Sequence, residues 1–193
     1  MKIEEVIKNR RTIRKYNRKA LQKKDLVKIL EAARWAPSVH NAQPWRFIVL
    51  RKRSLIEAIG NILIAKCRNL LSGFNVVLKE TAQIIFEAPV VVVVYDTCEL
   101  SSRMKKFEEP YFFVTKVSEY QSISASIENS LLMAHCLGIG SAWLTSPLFC
   151  DKEIMSFLKL NGSLVAILTF GYPAERVQFP ARKSLKNIVE YRL

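Results

Sequence analysis

The sequence predicts a layered α/β or α+β domain whose sheet is covered on both faces, and three observations carry that prediction. Stretches with apolar residues at helical spacing alternate with short β-branched runs. The run at residues 90–95, Val-Val-Val-Val-Val-Tyr, has no polar alternation, as expected of a strand with helices on both faces. No repeat, low-complexity tract or linker interrupts the chain, so residues 1–193 read as a single domain.

In chain order, residues 3–8 place Ile3, Val6 and Ile7 at helical spacing, with Glu4 and Glu5 in the first turn, where the helix dipole favours acids. Residues 24–35 repeat the pattern through Leu26, Ile29, Leu30 and Ala33. Pro37 ends that helix by disfavouring the α conformation in the residue before it, and Pro44 blocks a restart. Residues 45–50, Trp-Arg-Phe-Ile-Val-Leu, read as an interior strand ended by Arg51, Lys52 and Arg53. Leu55, Ile59, Leu63 and Leu70 predict a helix over 55–71, and Val77, Leu78, Ala82, Ile85 and Phe86 suit another over 73–87.

Residues 96–121 mix charges with Phe107, Tyr111, Phe112, Phe113 and Tyr120 without clear periodicity. They read as a partly irregular segment, either a flap over a site or an aromatic plug in the core. Residues 122–137 form the longest smooth helical stretch, with small residues for close packing and Gly138 at its cap. A short strand or extended turn follows at 139–147, a helix at 151–160, and a second central strand at 164–173. The tail from 176 is polar, yet patterned by Leu185, Ile188 and Val189.

Composition excludes some functions and leaves others open. Half the residues are apolar, which suits a packed core and not a disordered chain. No apolar run approaches the roughly 18 residues needed to cross a bilayer, and the acids near Met1 do not suit a secretion signal, so a cytoplasmic protein is expected. The four cysteines are widely spaced and suit reduced thiols, and with only His40 and His135 as imidazoles no metal site is expected. The formal charge of +13 favours anionic partners without choosing among a phosphorylated cofactor, a nucleic acid and a membrane.

Two stretches carry candidate chemistry. Arg10, Arg11, Thr12 and Arg14 crowd three guanidiniums and a hydroxyl into five positions, a set that can grip phosphate oxygens or line a solvated basic surface. Between Pro37 and Pro44 stand Ser38, His40, Asn41 and Gln43, more amides and hydroxyls than a reversal of direction requires. That loop reads either as a fixed set of donors and acceptors or as a helix cap and an ordinary connection.

Together the motifs resemble the nitroreductase family: R-R-T-I-R-K-Y at 10–16, A-P-S-V-H-N-A-Q-P-W-R-F at 36–47, L-G-I-G-S-A-W-L at 137–144, then F-G-Y-P-A-E and R-K-S-L. The resemblance implies an α+β layered fold, a mostly antiparallel central sheet flanked by helices, and an intertwined homodimer binding FMN at its shared interface. It implies that Arg10, Arg11, Thr12 and Arg14 hold the FMN phosphate and ribityl chain, helped by Arg182 or Lys183. Pro37, Ser38 and Asn41 would approach the same flavin from the partner subunit, and Leu144, Thr145 and Ser146 would run beside the isoalloxazine ring. The activity implied is hydride transfer from NADH or NADPH to a nitroaromatic, quinone or similar acceptor by a ping-pong mechanism, with no protein nucleophile or general base. Thr12 stands where serine is more usual, and residues 96–121 match no identifiable subfamily. Because the family includes flavin-destroying, dehalogenating and azoline-oxidising branches, the fold does not choose the acceptor. A non-catalytic FMN-binding protein is the alternative; a basic nucleic-acid-binding protein is a distant one, and neither nucleic acid nor membrane is an expected partner.

Overall fold

The computed structural model describes residues 2–107 and 109–192, so Met1, Glu108 and Leu193, parts of the readings of the N-terminus, of 96–121 and of the tail, lie outside the described residues. The helices are α1 (Ile3–Asn9), α2 (Lys23–Arg34), α3 (Arg53–Lys66), α4 (Phe74–Glu87), α5 (Glu99–Met104), α6 (Tyr111–Cys136) and α7 (Asp151–Phe157). The strands are β1 (Trp45–Leu50), β2 (Val90–Asp96), β3 (Gly140–Leu144) and β4 (Ser163–Gly171). They form one antiparallel sheet in the order β1-β2-β4-β3, which makes the fold α+β.

Alternate residues of β2 feed two cores. Val91 and Val93 pack with Ile56, Ile59 and Leu63 of α3 and Leu78 and Ile85 of α4. Val90, Val92 and Val94 pack with Ile29 of α2 and Ile123, Ile127 and Leu131 of α6. The unbroken valine run is therefore a strand with apolar layers on both faces, and all five valines are buried. The second central strand also stands as expected, β4 lying between β2 and β3.

Two expectations are corrected. Residues 45–50 form an edge strand, not an interior one: β1 pairs only with β2, and only its ends, Trp45 and Leu50, are buried. Its β-branched composition answers to partial cover by neighbouring elements, which an apolar run cannot distinguish from a central place. The long helix begins at Tyr111, eleven residues before the expected 122, because α6 rises out of the core at its N-terminal end. There the aromatics point outward, with Tyr111 and Phe113 more than half exposed, so they neither plug the core nor show the periodicity of a buried face. Within 96–121, the described residues outside helix and strand are 97–98, 105–107 and 109–110.

Gly138 takes the expected capping role at φ +72°, with Ile139 N–H bonded back to Ala134 O at 2.8 Å. All four cysteines are free, Cys67 and Cys150 buried. No helix among the described residues is long and apolar enough to cross a membrane.

Candidate functional site

The basic segment after α1 is held against the β3 edge of the sheet by its backbone. Ile13 N–H bonds to Ser141 O at 2.9 Å, Asn17 N–H to Tyr172 O at 2.9 Å, and Thr12 bridges Ser141 in parallel. Tyr16 locks the turn from inside: its hydroxyl donates to Ile13 O at 2.6 Å and lies 2.7 Å from Thr169 Oγ1, which then donates to it. Burial pushes the Tyr16 phenol well above its ordinary value. Glu175, in the quoted F-G-Y-P-A-E motif, accepts the N–H groups of Arg14 and Lys15 at 2.6 and 3.1 Å. This anchoring role of the glutamate was not read from sequence, although the motif was.

Such anchoring leaves the side chains to alternate. Arg11 and Ile13 line a cavity of about 480 Å³ with His135 and the backbone of Gly138 to Ser141, whereas Arg10, Thr12 and Arg14 do not. Arg11 lies 3.7 Å from the Phe179 ring centre and donates to Lys8 O and Arg10 O. Arg10 makes one weak ion pair, 3.5 Å to Glu128. Among the described residues Arg14 enters no ion pair. Arg182 and Lys183 are exposed on the tail, three and four residues beyond Phe179, whose ring lies against Arg11.

The loop between the prolines is rigid and strained. His40, Asn41 and Gln43 take left-handed φ values of 46°, 54° and 47°, a conformation costly for side chains other than glycine and easiest for asparagine. Internal bonds hold it there: Gln43 N–H to Ser38 Oγ at 3.1 Å, and Gln43 Nε2 to Asn41 Oδ1 at 3.1 Å. Val39 N–H also bonds Ser122 Oγ on α6 at 3.1 Å. Pro37 and Asn41 are exposed and Ser38 is half-buried.

The loop and the basic segment stand at opposite corners of the sheet. Trp45, where the loop ends, is in register with Asp96 and Ser163, while Ser141 beside Thr12 is in register with Phe170 and Val90. Six residues along β2 and three strand spacings across the sheet separate them by about 25 Å. The third candidate stretch lies between these corners. Leu144 is buried at the end of β3, and Thr145 and Ser146 line a cavity of about 510 Å³ with Phe74, Val77 and Phe149. Ser146 Oγ is pinned 2.6 Å from Thr81 Oγ1.

Comparison with known proteins agrees with this architecture. A relative from Archaeoglobus fulgidus, provisionally named an NADH dehydrogenase/NAD(P)H nitroreductase, is 31% identical over 180 residues, covering 90% of this chain and 87% of its own. A BluB-like flavoprotein from Clostridium difficile superposes with a TM-score of 0.82 at 28% identity, covering 100% of both chains. A protein from Desulfovibrio desulfuricans, provisionally named a nitroreductase and solved in complex with FMN, has a TM-score of 0.76 at 26% identity, covering 100% of this chain and 98% of its own. The model of the Nitroreductase family matches residues 7–172, and the chain belongs to that family.

Proposed function

We propose that this protein is an FMN-dependent oxidoreductase that works as a homodimer, the 193-residue chain acting as a single FMN-binding domain. The observation that carries the reading is the 25 Å diagonal between the basic segment and the strained loop, estimated from strand spacing and register. One chain then offers two half-sites, and a second copy is needed to bring the loop of one to the basic segment of the other.

The donor set fits a flavin phosphate. Arg10 and Arg14 present cations with little or no internal pairing, and Thr12 adds a hydroxyl. A dianionic phosphate satisfies several such groups at once by charge-assisted bonds. Arg10, Thr12 and Arg14 would hold it, with Arg11 supporting the same segment from its other side and Arg182 or Lys183 supplying a further cation. Pro37, Ser38 and Asn41 would meet the ring from the partner subunit, held ready by the bonds that stabilise their loop. Leu144, Thr145 and Ser146 would lie along the ring at the end of β3, beside an apolar cavity able to take an aromatic acceptor.

When bound, FMN supplies hydride exchange between NADH or NADPH and a second substrate, a nitroaromatic, quinone or similar small molecule. The chain's share is to bind, orient and exclude water, and donor and acceptor use the same place in turn, which gives ping-pong kinetics. The test is direct. The purified protein should be yellow, elute as a dimer, and lose its flavin colour promptly when NADH or NADPH is added without oxygen. A colourless protein that takes up no added FMN, or a monomer that binds FMN tightly, would overturn the reading; flavin retained without bleaching by either nucleotide would favour a non-catalytic binding protein.

A further inference from the structure

Four large apolar side chains converge on the cavity at the end of β3. Phe74 and Val77 of α4, with Leu148 and Phe149 in the tight turn that follows β3, line it and are each between 41% and 50% exposed. Apolar surface gathered in one place and left to water marks a binding site, as single exposed residues do not. The Phe74 and Phe149 rings pack edge to face, 5.4 Å between centres at 64°, an arrangement that a third, flat ring extends. No charged side chain is among the lining residues, so a charged guest would lose hydration and gain no partner.

The two remaining lining residues, Thr145 and Ser146, carry hydroxyls, and one of these is fixed in sense. Thr81 of α4 is buried and donates its hydroxyl proton to Val77 O at 2.8 Å, the bond a helical threonine makes to the carbonyl one turn back. With that proton engaged, the 2.6 Å contact between Thr81 Oγ1 and Ser146 Oγ requires the serine to donate. Ser146 has a single hydroxyl proton, and Thr81 takes it. Only lone pairs are left for Ser146 to present to the cavity, and a lone pair is satisfied only by a donor. Thr145 is exposed, and its hydroxyl can turn either way and selects nothing.

We infer that this cavity takes an uncharged aromatic molecule carrying a hydrogen-bond donor, a phenol O–H or an aryl N–H, which Ser146 Oγ accepts. Thr81 is the positioning residue that fixes the sense of the serine. The inference rests on the flavin reading for its role: with Leu144, Thr145 and Ser146 beside the ring, the guest of this cavity is the second substrate. The acceptor class then narrows to neutral aromatics that bear such a donor.

Isothermal titration of the protein supplied with FMN, using α-naphthol, its methyl ether and α-naphthoate, tests the inference. α-Naphthol, neutral at neutral pH, should bind with a Kd below about 1 mM. The ether, lacking the donor, should bind at least about fivefold more weakly, and the charged naphthoate at least about tenfold more weakly. Ser146→Ala should bring phenol and ether within about twofold of each other. Thr81→Val, which returns the serine its proton, should do the same, and Thr81→Ser should restore the preference. A Thr81 of merely structural importance would instead weaken both ligands alike. A Kd for α-naphthol above about 1 mM, an ether that binds as well as the phenol, or a preference that survives Ser146→Ala or Thr81→Val would each overturn the inference. Should Thr81→Val fail to fold, Ser146→Ala decides. The flavin absorption of the same samples keeps the two readings apart. α-Naphthol that binds and leaves the flavin spectrum unmoved would overturn the acceptor role, whereas a protein that takes up no FMN would overturn the flavin reading while the heats still report on the cavity.

Discussion

Replacing Lys116 with methionine removes the cation that neutralises Asp96, a fully buried carboxylate where β2 ends. Lys116 Nζ lies 2.8 Å from Asp96 Oδ2 and 3.0 Å from Cys98 Sγ, and Asp96 Oδ1 accepts the Cys98 N–H at 2.8 Å. Removing one partner of a fully buried pair costs about 3–5 kcal/mol, because the other is left charged and without its counter-ion. Lys116 keeps 19% of its side chain exposed and Asp96 none, so water relieves a little and about 3 kcal/mol is expected. For a chain of this length each kcal/mol lowers the melting temperature by about 2–4 °C, giving a drop of roughly 6–12 °C. Burial opposes the Lys116 charge, but its bonds to Asp96 and Cys98 outweigh that and raise its pKa above the ordinary 10.5. A raised pKa places the stabilisation fully below the unfolded value and loses it only in strong alkali. The difference in melting temperature between wild type and Lys116→Met should therefore stay constant from about pH 6 to pH 9. The assay is thermal unfolding by circular dichroism of the two single variants and of Asp96→Asn/Lys116→Met, in which the uncompensated charge is gone. The double variant should recover much of the loss. A drop under about 2 °C for Lys116→Met, or a double variant as unstable as the sum of the singles, would refute the reasoning.

Four further outcomes follow from the site. A Cβ on Gly140 would stand 2.9 Å from Ile13, so Gly140→Ala should cost about 1–3 kcal/mol and loosen the basic segment, seen as faster flavin loss on dilution. Gly138→Ala, with open space but φ +72°, should destabilise by about 1–2 kcal/mol and leave flavin retention closer to wild type. Arg14→Ala should weaken FMN by about 2–5 kcal/mol if its pair with phosphate is desolvated, whereas Lys105→Ala should not, and equal losses by equilibrium dialysis would argue against the phosphate assignment. Burial, with the charges of Arg10 and Arg11, holds the His135 imidazole below its ordinary 6.5. The neutral form is favoured in the fold, so this stabilisation is present above pH 6.5 and lost as pH falls, and His135→Gln should flatten the acid side of a melting-temperature profile.

Fold and family were legible where local chemistry and position coincide. The valine run of β2, the prolines flanking the loop and Gly138 act through conformations and burial that neighbouring residues impose, and each stands as its sequence predicts. The N-terminal half of α6 was not legible, because a helix leaving the core loses the apolar period by which helices are recognised. The edge position of β1 was hidden for a related reason: five apolar residues out of six report partial burial, not the number of neighbouring strands. Glu119 and Asp96 looked like ordinary acids in a charged stretch, and no local pattern marks them as buried.

By itself, then, the sequence determined most of the elements outside 96–121, the two-faced sheet and the family, through periodicity, proline and glycine chemistry and motif order. Tertiary structure alone decided that Arg11 turns away from Arg10, Thr12 and Arg14, that the loop lies a sheet's diagonal from them, and that one oxygen of Glu119 is left without a donor. These depend on strand order, register and burial, which arise from contacts between residues far apart in the chain, and no window of sequence carries them.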